Sequence, residues 1–163
     1  MTLKDFVLTD TNNFVVCERY LLFFKRIYLV LITKNYLIGL VCNKQLKLAN
    51  NDELFANKKT NLQALESKSG DALNRFSYLS IEYIRKIENK YLFDQSIFGV
   101  QKANFRIDRN DLKRIDFNPE KVDLGEYPNS GTLTLEASRH ERKELIVLGN
   151  QNGDNIIKWI QTR

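Results

Sequence analysis

Residues 14–42 read FVVCERYLLFFKRIYLVLITKNYLIGLVC, and this stretch decides the fold. The polar pairs Lys25-Arg26 and Lys34-Asn35 divide it into three apolar runs of seven to eleven residues, rich in β-branched and aromatic side chains. Runs of this length suit strands better than helices. The stretch therefore predicts a three-stranded antiparallel meander with a turn at each polar pair.

Within this stretch, the apolar region Tyr20–Val41 is long enough to cross a bilayer, but charged residues interrupt it. Lys25, Arg26 and Lys34 would each cost about 2.5–3.5 kcal/mol at the centre of a membrane span. The opening residues, Met1–Phe6, lack the basic start and apolar run of a signal peptide. We therefore expect a soluble, cytoplasmic protein.

Residues 43–77 are polar and rich in turn-forming asparagines, with few apolar anchors. Leu62 and Leu65 would share one face of a short helix. A structureless loop of this length is unusual in a compact domain. The sequence therefore predicts an insertion that is partly helical or mobile.

Further strands and one helix are expected after the insertion. Alternating or apolar segments predict strands at 78–87, 91–100, 104–109, 113–117, 132–137 and 144–148. The last two form the clearest hairpin. At the C-terminus, Ile156, Ile157, Trp159 and Ile160 recur at helical spacing after two candidate N-caps, Asn152 and Asp154. This short amphipathic helix must dock on the sheet to be stable.

A meander, an insertion, about four more strands and a terminal helix together resemble a bacterial pleckstrin-homology-like domain. The resemblance is carried by Phe14–Cys42, Tyr78–Ile87, Thr132–Leu148 and the helix with Trp159. It implies a mainly β (α+β) fold, an antiparallel barrel or sandwich of about seven strands. Residues 1–163 are expected to form a single domain. The resemblance also implies a binding scaffold whose first hairpin contacts lipid phosphates.

The basic residues are concentrated in the first part of the chain. The net charge is +5, with 14 basic and 9 acidic residues up to Lys90 and 11 of each after it. Such a modest positive field favours an anionic surface as partner. The resemblance places Lys25 and Arg26 in the first turn, with Lys34 nearby. The complete set of candidate anion-binding residues is Lys25, Arg26, Lys34, Lys44 and Lys47.

Catalytic and zinc chemistry find little support in the sequence. His140 lies beside Ser138 and Glu141 in the last hairpin connection, but a triad needs spatial convergence that adjacency in a turn does not provide. Cys17 and Cys42 each lie inside an apolar run, as small core residues do in a reducing compartment. One histidine and two distant cysteines also disfavour a tetrahedral zinc site.

Three other patterns have simpler interpretations than a binding site. Asp108, Asp111 and Asp116 alternate with basic residues, which indicates a solvated face rather than a metal cluster. The loop Gly149–Asp154 lacks the lysine of a phosphate-binding loop and suits a helix cap. Aromatic and basic residues interleave over Tyr20–Tyr28, as in nucleic-acid platforms. With a net charge of only +5, a β-core is the favoured interpretation, and nucleic acid is disfavoured.

Three functional hypotheses follow. The first is a non-enzymatic protein-interaction module that binds through a strand edge or loop, as a bacterial immunity or effector-associated protein does. The second is a peripheral membrane adaptor for anionic lipid head groups. The third is an enzyme of unknown type. We assign no catalytic residue, metal or cofactor, and a homodimer through an unprotected edge strand is a further expectation.

Overall fold

A computed structural model describes residues 1–20, 24–42, 79, 81–125, 127–138 and 142–162. In this part of the chain, seven antiparallel strands form one sheet that curls into a half-barrel. The strands are β1 (Asn13–Tyr20), β2 (Phe24–Ile32), β3 (Tyr36–Val41), β4 (Phe105–Asp108), β5 (Leu112–Asn118), β6 (Asn129–Ala137) and β7 (Arg142–Leu148). The described helices are α1 (Ile81–Ile87), α2 (Ser96–Val100) and α3 (Gly153–Gln161). The strand order is β4-β3-β2-β1-β7-β6-β5. The expected mainly β class with a C-terminal helix is confirmed.

The central strands of the sheet are buried on both faces. The inner face packs against Ile156 and Ile160 of α3, and the outer face packs against Tyr83 and Ile87 of α1 and Ile97 of α2. Strands covered on both sides need apolar residues at consecutive positions rather than at alternate ones. This explains why residues 14–42 show continuous apolar runs.

The prediction of a strand at 78–87 is wrong, because residues 81–87 form α1. Leu79, Tyr83 and Ile87 recur every four residues and are all buried on the outer face. Ile81, Tyr83 and Ile87 also lie at odd-numbered positions, as in a strand. A window this short therefore fits both the two-residue period of a strand and the helical period. The helix forms because this arrangement buries Leu79, Tyr83 and Ile87 against the sheet.

The prediction of a strand at 91–100 is also wrong. Residues 96–100 form α2, and Tyr91 makes only an isolated bridge with Thr2. Leu92 and Ile97 are fully buried against the outer face. They cover the sheet rather than extend it.

The first turn lies closer to the N-terminus than expected. Tyr20 pairs with Phe24, so Lys25 and Arg26 lie inside β2 and not in the turn. Arg26 faces Glu18 across the two strands, and such an opposite-charge pair stabilises a ladder. The second turn, at Lys34-Asn35, is confirmed between β2 and β3.

The later strand predictions at 104–109, 113–117, 132–137 and 144–148 are confirmed as β4 to β7, with ends that shift by a few residues. The C-terminal helix is confirmed as α3. Asn152 is its N-cap, and its side chain accepts a hydrogen bond from the backbone N–H of Asn155 at 2.9 Å. The insertion expected at 43–77 lies outside the described residues.

A short connection forces the sheet to curl. β4 and β5 are its two edge strands, yet only residues 109–111 separate them along the chain. Three residues span at most roughly 10 Å, whereas edges of a flat seven-stranded sheet would lie nearly 30 Å apart. The two edges therefore meet at this corner.

Arg109 occupies that corner and ties it to α3. Its guanidinium donates to the backbone carbonyls of Ile160 (2.9 Å) and Thr162 (2.5 Å) at the end of α3. It also donates to Thr33 (2.6 Å) and Lys34 (3.0 Å) in the β2–β3 turn. One side chain thus satisfies carbonyls that a helix end and a turn would otherwise leave unpaired.

We predict that Arg109→Ala lowers the free energy of unfolding by about 2–4 kcal/mol, because several carbonyls, some of them half-buried, lose a charged donor. Urea denaturation followed by circular dichroism measures this change. Arg114→Ala is the control, since it removes an exposed pair with Asp116 and should change stability by less than about 0.5 kcal/mol. Equal effects of the two substitutions would show that Arg109 has no special role.

Candidate functional site

The structure separates the anion-binding residues expected from the sequence. Lys25 lies on the outer face, where its Nζ donates to the carbonyl of Leu124 at 2.8 Å. Arg26, the next residue, lies on the inner face. Lys34 follows the far end of β2, at least roughly 20 Å away along the strand. These three residues therefore form no cluster, and Lys44 and Lys47 lie outside the described residues.

Lys34 instead lines a separate cleft of about 410 Å³ at the β4–β5 corner, together with Arg109, Lys113 and Arg114. The charges here are largely used within the fold. Arg109 is bound to carbonyls and Arg114 pairs with Asp116. The C-terminal end of α3 also presents partial negative charge to this cleft. The corner is a weaker candidate for anion binding than its residue content suggests.

Arg26 belongs to a charged network on the inner face that is organised by Glu18. One carboxylate oxygen accepts a hydrogen bond from Lys143 Nζ at 2.8 Å, and the other accepts from the Tyr28 hydroxyl at 2.8 Å. Arg26 lies 3.8 Å from the same carboxylate. The side chains of Glu18 and Lys143 are only 18% and 24% exposed. Glu18 therefore holds two cations from different strands at fixed positions.

The pKa values reflect this arrangement. Burial alone would raise the pKa of Glu18, but the hydrogen bonds from Lys143 and Tyr28 outweigh it and hold that pKa below its ordinary value. Burial raises the pKa of the Tyr28 hydroxyl, so it stays protonated and serves as a donor. Glu18 is thus a permanent anion at neutral pH.

Beside this network lies a larger cleft of about 750 Å³. Its walls are α2, the start of β4 and the start of β7. The described lining residues are Gln95, Phe98, Asn104, Phe105, Arg106, Arg142 and Lys143. Three of them are cations and none is a carboxylate. Because clefts lined by one sign of charge concentrate the opposite sign, this cleft favours an anionic ligand.

Two consecutive residues of β4 divide the cleft between the faces of the sheet. Phe105 lies on the inner face, where its ring meets Tyr28 edge-on at 5.0 Å and Lys143 Nζ lies 4.6 Å from its centre. Gly39 is required beneath this ring, because a Cβ there would overlap it. Arg106 lies on the outer face, 5.0 Å from the Tyr36 ring centre. Its guanidinium also donates to the Phe93 carbonyl.

The backbone of β4 adds a polar edge to the cleft. Arg109 donates its backbone N–H to the carbonyl of Asn35 at 2.8 Å, which sets the alternation of the β3–β4 ladder. In an antiparallel ladder every second residue bonds to the neighbouring strand. Phe105 and Ile107 therefore face β3, and the N–H and C=O of Arg106 point away from it.

Three of the groups considered for catalysis, Cys17, Cys42 and Ser138, lie in the described part of the chain. Burial raises the pKa of Cys17 to about 11 and of Cys42 to about 12, so neither thiol is ionised at neutral pH. Ser138 donates its hydroxyl to the carbonyl of Asp111 at 2.9 Å. His140 and Glu141 lie outside the described residues.

The other motifs from the sequence also have structural roles. In the loop Gly149–Asp154, the buried Gln151 side chain bonds both backbone groups of Val15, at 3.0 and 2.7 Å. Asn152 caps α3. The described residues contain no group of three or more side chains that could hold a metal ion, and the aspartates around β5 form no such group either.

Comparison with known proteins gives no match: no family model fits the chain, and no curated protein or solved structure is similar to it. Within the described part of the chain, no helix has both the length and the apolar character needed to cross a membrane.

The sequence indicated Arg26 but not Arg106, Arg142 or Lys143 as members of this site. One local signal was present, because Glu18 is a lone carboxylate in a long apolar run and would need a cationic partner if buried. Nothing local indicates which cation that is, since Lys143 lies 125 residues away.

We predict that Glu18→Gln lowers the free energy of unfolding at neutral pH by about 1–3 kcal/mol, because Lys143 loses its anion in a poorly solvated position. Since the folded-state pKa is depressed, the contribution of Glu18 is complete above its ordinary value of 4.5 and is lost as pH falls below it. The difference between wild type and variant should therefore shrink in acid. Thermal denaturation across this pH range measures it.

Glu144→Gln is the matched control, since Glu144 pairs with Arg142 at the exposed surface. It should change stability by less than about 0.5 kcal/mol. A Glu18→Gln difference that stays constant down to low pH would contradict the role given to the carboxylate.

Proposed function

We propose that this chain is a non-enzymatic protein-interaction module that receives its partner in the cleft beside β4. The single observation that carries this is the coincidence of a strand edge that no other described strand pairs with and three cations from two elements. An outward-facing backbone N–H and C=O supply affinity to any extended chain. The flanking Arg106, Arg142 and Lys143 supply selectivity.

The directions of the pKa shifts support binding rather than catalysis. A general acid needs a raised carboxyl pKa and a nucleophilic thiol needs a lowered one. The pKa of Glu18 is lowered, whereas the pKa values of Cys17 and Cys42 are raised. These groups serve packing and charge balance, which suits a scaffold.

The topology supports a pleckstrin-homology-like scaffold. Strands β1 to β4 and β5 to β7 form two antiparallel meanders joined through β1 and β7, and α3 packs on the second meander. Such a scaffold, working in the cytoplasm, suits a bacterial immunity or effector-associated protein. Its role is then to hold a partner, and the edge of β4 is where it does so.

A photo-cross-linking experiment tests this proposal. With p-benzoylphenylalanine in place of Gln95, an exposed residue that lines the cleft, we expect one dominant protein adduct in cells of the source organism. The adduct should disappear when Arg106→Glu and Arg142→Glu are added, because a reversed field repels the partner.

The same cross-linker at Lys121 is the matched control. Lys121 is exposed, and its neighbour Val122 bonds to Asn129, which pairs with Leu148 at the end of β7 opposite Arg142. It therefore lies roughly 20 Å from the cleft. Equal adducts at Gln95 and Lys121, or adducts unaffected by charge reversal, would reject the cleft as the docking surface.

A second function, peripheral membrane binding, is favoured by one feature. Tyr20 and Phe24 stack at 5.6 Å where β1 ends and β2 begins, and Phe24 is 56% exposed. Arg26 lies over the Tyr20 ring at 3.9 Å. An exposed aromatic pair beside a cation suits the interface of an anionic bilayer.

Flotation with vesicles of phosphatidylcholine, alone or mixed with phosphatidylserine, tests this second function. If it holds, binding occurs only to the mixed vesicles, falls with salt and is lost in Phe24→Ser. Tyr91→Ser is the control, because Tyr91 is also an exposed aromatic (62%) but lies elsewhere. Absence of binding at low salt would exclude the membrane function and leave the protein-interaction function unaffected.

A further inference from the structure

We propose, resting on the function above, that the occupant of the cleft is an extended acidic segment of the partner with two adjacent carboxylate residues. The segment adds a strand to β4. One carboxylate then meets Arg106 on the outer side, and the next meets Arg142 and Lys143 on the opposite wall of the cleft.

The backbone of β4 requires an extended ligand. The N–H and C=O of Arg106 point away from β3, and both belong to one residue. A strand laid beside β4 satisfies both groups at once through a pair of antiparallel hydrogen bonds. The middle of a helix has no free backbone groups to offer, so an extended segment is the better match.

The side chains of β4 require the two carboxylates to be adjacent. Successive side chains of a strand point to opposite faces. Beside β4, one position of the added strand lies on the side of Phe105 and Lys143, and the next lies on the side of Arg106 and Phe98. Because both sides carry cations, acidic residues at neighbouring positions make contacts on both.

The charges already in place leave these cations available to a ligand. Lys143 uses one of its three N–H groups for Glu18. This hydrogen bond keeps the Lys143 ammonium over the Phe105 ring. Arg142 pairs with Glu144 only at the exposed surface, where such a pair contributes little. An incoming carboxylate can therefore displace it at small cost.

Two other occupants fit less well. A second copy paired edge to edge with the two Arg106 residues directly opposed would bring like charges together, and such a pair destabilises a ladder. A lipid head group would meet the cations but would leave the backbone N–H and C=O of Arg106 without partners. The acidic segment satisfies both sets of groups.

Three synthetic peptides test the inference with the full chain. The first is acetyl-Thr-Ser-Val-Glu-Glu-Val-Ser-Thr-amide. The second has the same composition with the glutamates separated, Thr-Ser-Glu-Val-Glu-Val-Ser-Thr, so that both point to one face. The third replaces both glutamates of the first with glutamine. Titrations are followed in two-dimensional amide NMR spectra.

We expect the adjacent-glutamate peptide to bind about three- to fivefold more tightly than the separated one, because it gains one more partly exposed charge contact. The glutamine peptide should bind more weakly than both. Shifts should centre on Phe105, Arg106 and Arg142. Arg106→Glu and Arg142→Glu should each weaken binding at least about fivefold, while Lys121→Glu, with the same charge change, should have a smaller effect.

Equal binding of the first two peptides would overturn the adjacent-pair requirement, and so would shifts centred away from β4. A phosphatidylserine head-group analogue that produced the same shifts with higher affinity would overturn the peptide assignment. If the cross-link at Gln95 still depends on Arg106 and Arg142 when the peptides fail, the proposed function stands and only the ligand class is wrong. If both fail, the cleft is not a docking site.

Discussion

The corner between β4 and β5 constrains the whole molecule. Three residues join the two edges of a seven-stranded sheet, so the sheet has to curl. Arg109 stabilises that curl from within, because it binds carbonyls at the end of α3 and in the β2–β3 turn at the same time. One guanidinium thus connects a helix end, a turn and the corner between the two strand edges.

The cleft is a consequence of the same curl. Three strands separate β4 from β7 in the sheet, which in a flat sheet would place them about 19 Å apart. In the half-barrel, Lys143 of β7 reaches the ring of Phe105 in β4 at 4.6 Å. Cations from both strands therefore face one cavity, and the open edge of β4 lies along it.

Glu18 connects the core to this surface. A buried carboxylate is tolerated only when hydrogen-bonded, and Lys143 and Tyr28 meet that need. In return, Lys143 is held in one position at the wall of the cleft and does not move freely in solvent. The electrostatic character of the surface therefore depends on an interaction inside the half-barrel that also contributes to stability.

Local patterns in the sequence determined the meander, strands β4 to β7 and helix α3, and narrowed its N-cap to Asn152 or Asp154. Each depends on neighbours within a few residues, and strands and caps have distinct local signatures. Only the tertiary structure decided that 81–87 and 96–100 are helices, because windows so short satisfy both the two-residue and the four-residue period. Only the curl of the sheet produced the cleft, because the cleft is lined by residues about forty positions apart along the chain. The pleat of β2 separated Lys25 from Arg26, since neighbours in a strand point to opposite faces, and the length of β2 separated both from Lys34.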